Sequence, residues 1–586
     1  MHISNIKIKN YRNLENVDIK VGRLVVLIGE NNSGKSNLLR AVTLPFLNDD
    51  VGNVNKTLTW EDINKKARDK YFNFLINHFN ELKEGSIEVD EFSKALPEVL
   101  VEIELSPSIG EEYYVKNWIV KDSTNNKFTY KIRYVYKVKD IAALFEHVKN
   151  ILPTEKSEIN DIQMNLLPIH FFQYYIVVPE TEVSVSLSDL NNFKYNSLIA
   201  ERDGFSYRNT QLGSKALVTL LNNKLSDEDK IHIERSYGSF FESLKDISDV
   251  ENLINWHEKS ELQNAKEFFE KITLLPNMPS MNSLLNNVKL GYGDEFVYSQ
   301  GLGFKNLIYL LVMINSMESN EQSIYRMLTI EEPEAHLSYG NKKLLASFIN
   351  SMLTEDNNLQ LFISTHSTEF INKLDLKNIA VVNDGEAFSL LSDMNDSERN
   401  YLAKKPNLDF LKFLFSRSCI LVEGPTEEML IKTYLHNRKD VLNDIEVISL
   451  HKGFSKMIKL WLKVNKDSTH KLGIIRDYDY QEKAKLNHEK YNVEPNILVA
   501  TTKAYTLEDE IVNEGNNHSI LKKYFEESYS WSDIDNPIKL SEKWKSAKTD
   551  VMLKFCQDMG TEDLKDLVLP DHINRVLKFF IEGVKE

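Results

Sequence analysis

The run Gly29-Glu30-Asn31-Asn32-Ser33-Gly34-Lys35-Ser36 follows the pattern G-x-x-x-x-G-K-[ST]. Such a loop wraps its backbone N–H groups around phosphates. Asn31, Asn32 and Gly34 would form the cradle. Lys35 would reach the β- and γ-phosphates and Ser36 a Mg2+ ion, with Asn37 at the start of a helix whose N-terminus favours anions. Far along the chain, Met327–Ile330 reads as a short strand ending in Glu331-Glu332-Pro333-Glu334. Of these, Glu331 could hold Mg2+ through water and Glu332 polarise the attacking water. A later strand, Leu359–Ser364, ends in Thr365-His366, where a histidine could sense the γ-phosphate.

A second set of acids follows. The apolar strand Ser418–Val422 ends at Glu423, and Glu427 lies one helical turn later, so both can face one point. Strand Ile445–Leu450 runs into His451-Lys452-Gly453, and strand Leu472–Ile475 into Arg476-Asp477-Tyr478-Asp479. Residues two apart in an extended segment point the same way, so Asp477 and Asp479 can share a face. All-oxygen donors suit Mg2+, Mn2+ or Ca2+ rather than zinc. Two such ions could clamp a phosphodiester.

These residues need strands to carry them. Ile3–Ile8, Val17–Val21, Leu24–Ile28, Pro97–Leu105, Phe128–Val138 and Ile169–Val178 read as strands, and Asn37–Leu47 as a helix. Residues 212–275 are charged and almost free of Gly and Pro, the pattern of a helical insertion. The softest boundary is polar Ser392–Pro406.

Composition bounds the function. With 586 residues, 42% hydrophobic and 27% charged, the chain holds several cores, and disorder is excluded. Its net charge of −16 argues against a protein that coats DNA by charge alone. From residue 401 onward 29 Lys and Arg face 30 Asp and Glu, so the deficit lies in residues 1–400 and the last third can carry local basic patches. Two cysteines exclude a disulfide scaffold and fit a cytoplasmic location. The longest apolar run, Leu307–Ile314, is far too short to span a membrane, and the N-terminus has no signal-peptide core.

Glu331 lies 295 positions after Ser36. This gap resembles ATP-binding-cassette (ABC) ATPases of the SMC, Rad50 and RecF type, which insert an arm between the halves of the site. Asn10-Tyr11-Arg12-Asn13 resembles their aromatic-Arg-Asn element, which implies a nucleotide contact for Arg12. Tyr298-Ser299-Gln300-Gly301-Leu302-Gly303 resembles the signature loop, keeping its Ser and one of its consecutive glycines; the resemblance implies that Ser299 and Gly301 complete the opposite protomer's site. Gln163 and Gln173 both stand as Q-loop candidates. The later order of strand-Glu-Gly, strand-Gly and strand-Asp-x-Asp looks like a Toprim fold.

A cassette head followed by a Toprim domain resembles the OLD (overcoming lysogenization defect) nucleases. The implied fold class is α/β, an ABC-type P-loop head with a helical insertion and then a Rossmann-like Toprim domain. Its segments would be residues 1–185 and 284–398 for the ATPase, 186–283 for a dimerisation insertion and 399–586 for Toprim. The resemblance assigns Glu423, Glu427, Asp477 and Asp479 to metal binding and catalysis. It adds Glu508, with Glu510 open, as later metal ligands, and a late lysine, Lys548 or Lys545, to stabilise transition-state charge. The implied activity is ATP-regulated, metal-dependent DNA cleavage by a homodimer or larger oligomer in anti-phage defence. Partners would be a helicase, as in Gabija, or a reverse transcriptase with its RNA–DNA product, as in retrons. The rival reading is a nucleotide-driven scaffold or sensor whose Toprim site acts only with a partner.

Overall fold

The computed structural model describes all residues except 50–54, 122–126, 201–211, 246–267, 269–270, 272–278, 319–322, 354–357, 404–408, 438–443, 452, 479, 504, 560–563, 565, 584 and 586. Asp479 and most of the second half of the expected insertion therefore lie outside the described residues, as does the side chain of Lys548.

The strands, in chain order, are β1 (His2–Tyr11), β2 (Leu14–Lys20), β3 (Leu24–Ile28), β4 (Leu47–Asn48), β5 (Val99–Ser106), β6 (Ile119–Lys121), β7 (Phe128–Val138), β8 (Phe172–Val177), β9 (Phe193–Leu198), β10 (Gly291–Tyr292), β11 (Glu295–Phe296), β12 (Tyr325–Glu331), β13 (Leu359–Ser364), β14 (Ile379–Asn383), β15 (Glu386–Ser389), β16 (Ser418–Val422), β17 (Ile445–Ser449), β18 (Lys471–Arg476) and β19 (Ile497–Thr501).

Three sheets matter for function. The first has the order β2-β1-β5-β7-β6, with β8 on β7, and its strands pair antiparallel. Alternation explains it: Ile3, Ile6 and Ile8 of β1, and Val17 and Ile19 of β2, are buried while polar residues intervene. The second has the order β15-β14-β3-β13-β12-β9-β4. Here β3 and β13 are buried at every position and β12 at all but Glu331, the continuous apolar pattern of strands covered on both faces. The third, β17-β16-β18-β19, is wholly parallel.

Several expectations shift. The helix after the phosphate loop covers Lys35–Thr43 and stops before Leu47, which enters β4. The strand expected from Ile169 begins at Phe172, after a single 3-10 turn. The stretch 186–283 is not an insertion throughout: β9 lies within it and pairs in parallel with β12, inside the ATPase sheet. Its Phe193, Asn196 and Leu198 are buried there. Two helices follow, Leu212–Lys224 and Asp227–Lys245.

The chain divides into two compact units, Met1–Val26 with Ser36–Leu374, and Leu27–Lys35 with Asp375–Glu586. That division falls earlier than the expected boundary at 398, because β14 and β15 sort with the later residues. Within the second unit His470 lies 3.7 Å from Glu30, and Asn383 donates to the Val464 carbonyl at 2.8 Å. No helix among the described residues is long and apolar enough to cross a membrane.

Candidate active sites

The phosphate loop leaves buried β3 and turns through Asn32 (φ 65°) and Gly34 (φ 117°), left-handed values that open the loop into a cradle. Asn31 and Asn32 are exposed at its tip. Lys35 folds back over the loop, donating from Nζ to the carbonyls of Gly29 at 3.0 Å and Glu30 at 2.7 Å. A Cβ on Gly29 would meet the Val382 carbonyl oxygen at 2.2 Å, so only glycine fits where β14 crowds the loop.

Tertiary structure closes the 295-residue gap. Ser36 Oγ donates to Glu331 Oε2 at 3.0 Å. Glu331 ends β12, which pairs in parallel with β13 in the register Glu331↔Ser364. Glu332 is exposed and left-handed (φ 43°), and its N–H donates to the Ser364 carbonyl at 2.9 Å. A non-glycine residue held there stores strain, which is common at functional sites. His366 is also exposed, and its N–H donates to Glu334 Oε1 at 2.8 Å, as Thr365 Oγ1 does at 2.7 Å. Glu334 was not singled out from the sequence, yet it binds the turn carrying His366 to the turn carrying Glu332; its place in the acidic run was the available signal.

Arg12 approaches the same helix. Its Nη1 donates to Asn37 Oδ1 at 3.0 Å and its Nε to Asp62 Oδ1 at 2.7 Å. Burial would lift the Asp62 carboxyl, but the Thr59 N–H and the Arg12 guanidinium outweigh it and hold the group below its ordinary range. Beside them opens a cavity of about 530 Å3 lined by Arg12, Asn13, Asn37, Asp62 and Arg68 among others. Arg68 sits 3.4 Å over the Trp60 ring. Neither Asp62 nor Arg68 carries a motif, so only folding reveals them.

Ser299 lies in a 3-10 turn and donates to the Phe296 carbonyl at 2.7 Å, while Gly301 is exposed just before the helix Leu302–Glu318. Gly303, in the helix's first turn, packs so tightly on the turn after β12 that a Cβ would lie 2.1 Å from the His336 carbonyl oxygen. Gln163 starts a short helix and donates to Asn160 at 3.3 Å; Gln173 is exposed on β8.

In the third sheet the ends of β16 and β18 are neighbours, because the strands pair in parallel with Val422 opposite Ile475. Ligands of open α/β sheets gather at such carboxyl ends. Glu423 is fixed there: its carbonyl accepts from His451 N–H at 2.9 Å, and its Oε2 accepts from Asp477 N–H at 3.0 Å. The next two acids on the helix Pro425–Asn437 diverge. Glu428 accepts from Ser449 N–H, whereas Glu427 is buried and accepts from Thr426 Oγ1 at 3.0 Å. Burial pushes the Glu427 carboxyl above its ordinary range, and the negative charge of Glu508 adds to that.

Glu508 and Glu510 are both buried at the start of the helix Leu507–Asn513. Between them Asp509 points to Lys545, which donates to its two oxygens at 2.8 and 3.0 Å. Lys545 thus stands beside the late acidic element. Among the described residues no three His, Cys, Asp or Glu side chains group closely enough to hold a metal by themselves. The donor chemistry nevertheless fits a divalent cation: the groups are carboxylates, and the buried Glu427 beside the charge of Glu508 gains most from a compensating positive ion.

Residues 1–371 match the model of the AAA ATPase domain family. The chain belongs to that family. Residues 414–479 match the TOPRIM domain of the overcoming lysogenization defect protein-like family, so this member joins an ATPase domain to an OLD-like TOPRIM domain. The cassette comparison made from the Ser36–Glu331 spacing and the Toprim comparison made from Glu423 and Asp477 therefore hold as an α/β ATPase followed by a TOPRIM domain. Two curated relatives are each named Endonuclease GajA. That of Bacillus cereus (strain HuB5-5) is 23% identical over 479 residues, 72% of this chain and 66% of its own. That of Bacillus cereus (strain VD045) is 23% identical over 445 residues, 74% of this chain and 68% of its own. The chain thus spans about two thirds of the length of these relatives. A solved SMC head bound to the C-winged helix domain of ScpA aligns with 66% of this chain and 97% of its own at 13% identity, with a TM-score of 0.30, too low to support an inference. The two domains imply use of a nucleotide and of a divalent metal.

Proposed function

We propose that the protein is an ATP-regulated, divalent-metal-dependent DNA endonuclease of bacterial anti-phage defence. The observation that carries this reading is the meeting of Glu423 with the Asp477 N–H, 3.0 Å apart at the carboxyl ends of adjacent parallel strands. The names of the relatives, both endonucleases, agree with it.

In this reading residues 1–185 and 284–398 form the ATPase, 186–283 carry the dimerisation insertion apart from β9, and 399–586 form the nuclease. Asn31, Asn32 and Gly34 cradle the phosphates, Lys35 neutralises the β- and γ-phosphates, and Asn37 and Arg12 flank them. Ser36 and Glu331, already 3.0 Å apart, hold Mg2+. Glu332 orients the attacking water, and His366 reads the γ-phosphate. Ser299 and Gly301 serve a second copy's nucleotide, so ATP pairs two chains.

At the nuclease site Glu423, Glu427, Asp477, Asp479 and Glu508 hold the divalent ion, Mg2+ first and Mn2+ or Ca2+ as alternatives, with Glu510 as a further ligand. A bound ion there supplies charge to the scissile phosphate and readies a water for in-line attack. Glu423 is kept in place through its own backbone and through the Asp477 N–H. Lys545, or Lys548, offsets charge on the phosphate in the transition state. The protein works in the cytoplasm, with a helicase or a reverse transcriptase and its RNA–DNA product as partner.

The test is plasmid cleavage. Supercoiled DNA is incubated with the protein and Mg2+, Mn2+ or Ca2+, with and without ATP and with EDTA. Cutting is expected to need the metal and to vanish in Glu423→Ala. Cutting that persists in EDTA or in Glu423→Ala refutes the assignment.

A further inference from the structure

Strands β18 and β19 end side by side, with Arg476 opposite Thr501. The two loops that leave them are tied together. Thr502 N–H donates to the Arg476 carbonyl at 3.0 Å, and Tyr478 N–H donates to Thr502 Oγ1 at 2.8 Å. One loop starts at Asp477, whose N–H rests on Glu423.

Tyrosines crowd these loops. The rings of Tyr480 and Tyr505 stack with centres 5.1 Å apart and planes 29° apart, and Tyr478 meets Tyr480 edge-on at 5.9 Å. Burial does not explain the group: Tyr480 is 78% exposed and Tyr505 43%. Tyr480 is also left-handed (φ 55°), a conformation that residues with a Cβ avoid. The fold therefore holds a large ring in a strained backbone, backs it with a second ring and leaves it facing water. Tyr478 plays a different part, since its hydroxyl is engaged by Glu482 at 3.0 Å. Cations flank the group. Lys485 Nζ lies 5.6 Å from the centre of the Tyr478 ring, and exposed Lys503 lies two residues before Tyr505, paired with Asp571 at 3.0 Å.

We infer that Tyr480, backed by Tyr505, is a stacking platform for an unpaired base of the strand to be cut, so that the TOPRIM site takes single-stranded or locally opened DNA. This rests on the nuclease reading above and names its substrate class. Every base has a π-face, and an exposed aromatic ring binds it with little regard to sequence. A base inside B-form DNA keeps both faces against its neighbours and must leave the stack to use such a ring. Tyr480 is three residues beyond Asp477, at most about 11 Å of chain, so one strand can reach both. Lys485 and Lys503 give the phosphates of that strand a favourable approach.

The test measures binding of the full chain in EDTA, where metal-dependent cutting is off. Fluorescence anisotropy follows a labelled oligo-dT strand and a blunt duplex of equal length. A strand carrying 2-aminopurine reports stacking by quenching. Tyr480→Ala is expected to weaken single-strand binding about tenfold and to abolish the quenching, with duplex binding and ATP hydrolysis unchanged. Tyr480→Phe is expected to retain both, which also separates loss of the ring from loss of the fold. Unchanged single-strand affinity in Tyr480→Ala, or an equal loss for strand and duplex, overturns the platform. If the wild type shows the binding difference but cuts no plasmid under any condition, the nuclease reading fails while the platform stands.

Discussion

The nucleotide site and the TOPRIM site are both built at the carboxyl ends of parallel strands, yet they are built from different material. At the first, the proposed binding groups lie mostly in one continuous loop and are backbone N–H groups. Its tightest packing is also against backbone: Gly29 against the Val382 carbonyl and Gly303 against the His336 carbonyl. At the second, acids come from separate elements, Glu423 and Asp477 at strand ends and Glu427 and Glu508 on helices, and the contact that joins the strand ends runs from the Asp477 N–H to Glu423 Oε2. Its own crowded glycine, Gly473 in β18, faces the side chains of Val576 and Phe580. A backbone-built site tolerates change in its side chains but not in its path. A site built from side chains behaves the other way.

The largest effects should separate the sites cleanly. Glu423→Ala and Asp477→Ala are expected to lower plasmid cutting about a thousandfold or more while ATP hydrolysis stays within about twofold. An equal fall in ATP hydrolysis, measured by phosphate release, would erase the distinction. Lys35→Ala should lower ATP hydrolysis about a hundredfold or more. Glu331→Gln should lower it too, because it weakens the pair with Ser36. Steady-state hydrolysis against ATP concentration checks both.

Packing sharpens the contrast. Gly303→Ala puts a Cβ 2.1 Å from a backbone oxygen, and Gly473→Ala puts one 2.6 Å from the Val576 side chain. Side chains can move aside more readily than a carbonyl in a turn. Thermal unfolding should show Gly303→Ala costing about 2–3 kcal/mol and Gly473→Ala about 1–2 kcal/mol. The reverse order would break the comparison.

The smallest effect concerns pH. His572 is buried in the helix Asp571–Ile581, and both its ring nitrogens are buried without a hydrogen-bond partner among the described residues. Burial pushes its pKa down to about 4, from 6.5. Between those values the unfolded chain binds the proton and the folded chain does not, so stability should rise from about pH 4 to about pH 6.5 and then level off. The full span corresponds to roughly 3 kcal/mol. Denaturant unfolding followed by tryptophan fluorescence should show this rise, and His572→Gln should flatten it.

How much could be read beforehand follows from the same division. The phosphate loop was legible because its form is local: Gly34, Lys35 and Ser36 lie within one turn of chain, after β3 and at the start of the helix Lys35–Thr43. Glu331 and Glu332 were legible because a short apolar strand announced them. The ordered acids Glu423 and Asp477 were legible as a series of strand ends, and they belong to adjacent parallel strands as that series requires. Position 196 shows the limit. Asn196 is buried in a short strand of mixed polar and apolar residues, and β9 was absorbed into the helical stretch because nothing local says that it pairs with β12.

What the chain order alone determined is therefore the local pieces: a glycine-bearing loop between an apolar strand and a helix, and acids set at the ends of apolar strands. What only tertiary structure decided is which groups meet. Ser36 reaches Glu331 across 295 residues because β12 lies in the same sheet as β3. Arg12 finds Asp62 and Asn37, and Tyr480 finds Tyr505, only once strands and loops are paired. Local motifs encode backbone conformation. Distances between side chains far apart in the chain depend on sheet order and register, which no single segment contains.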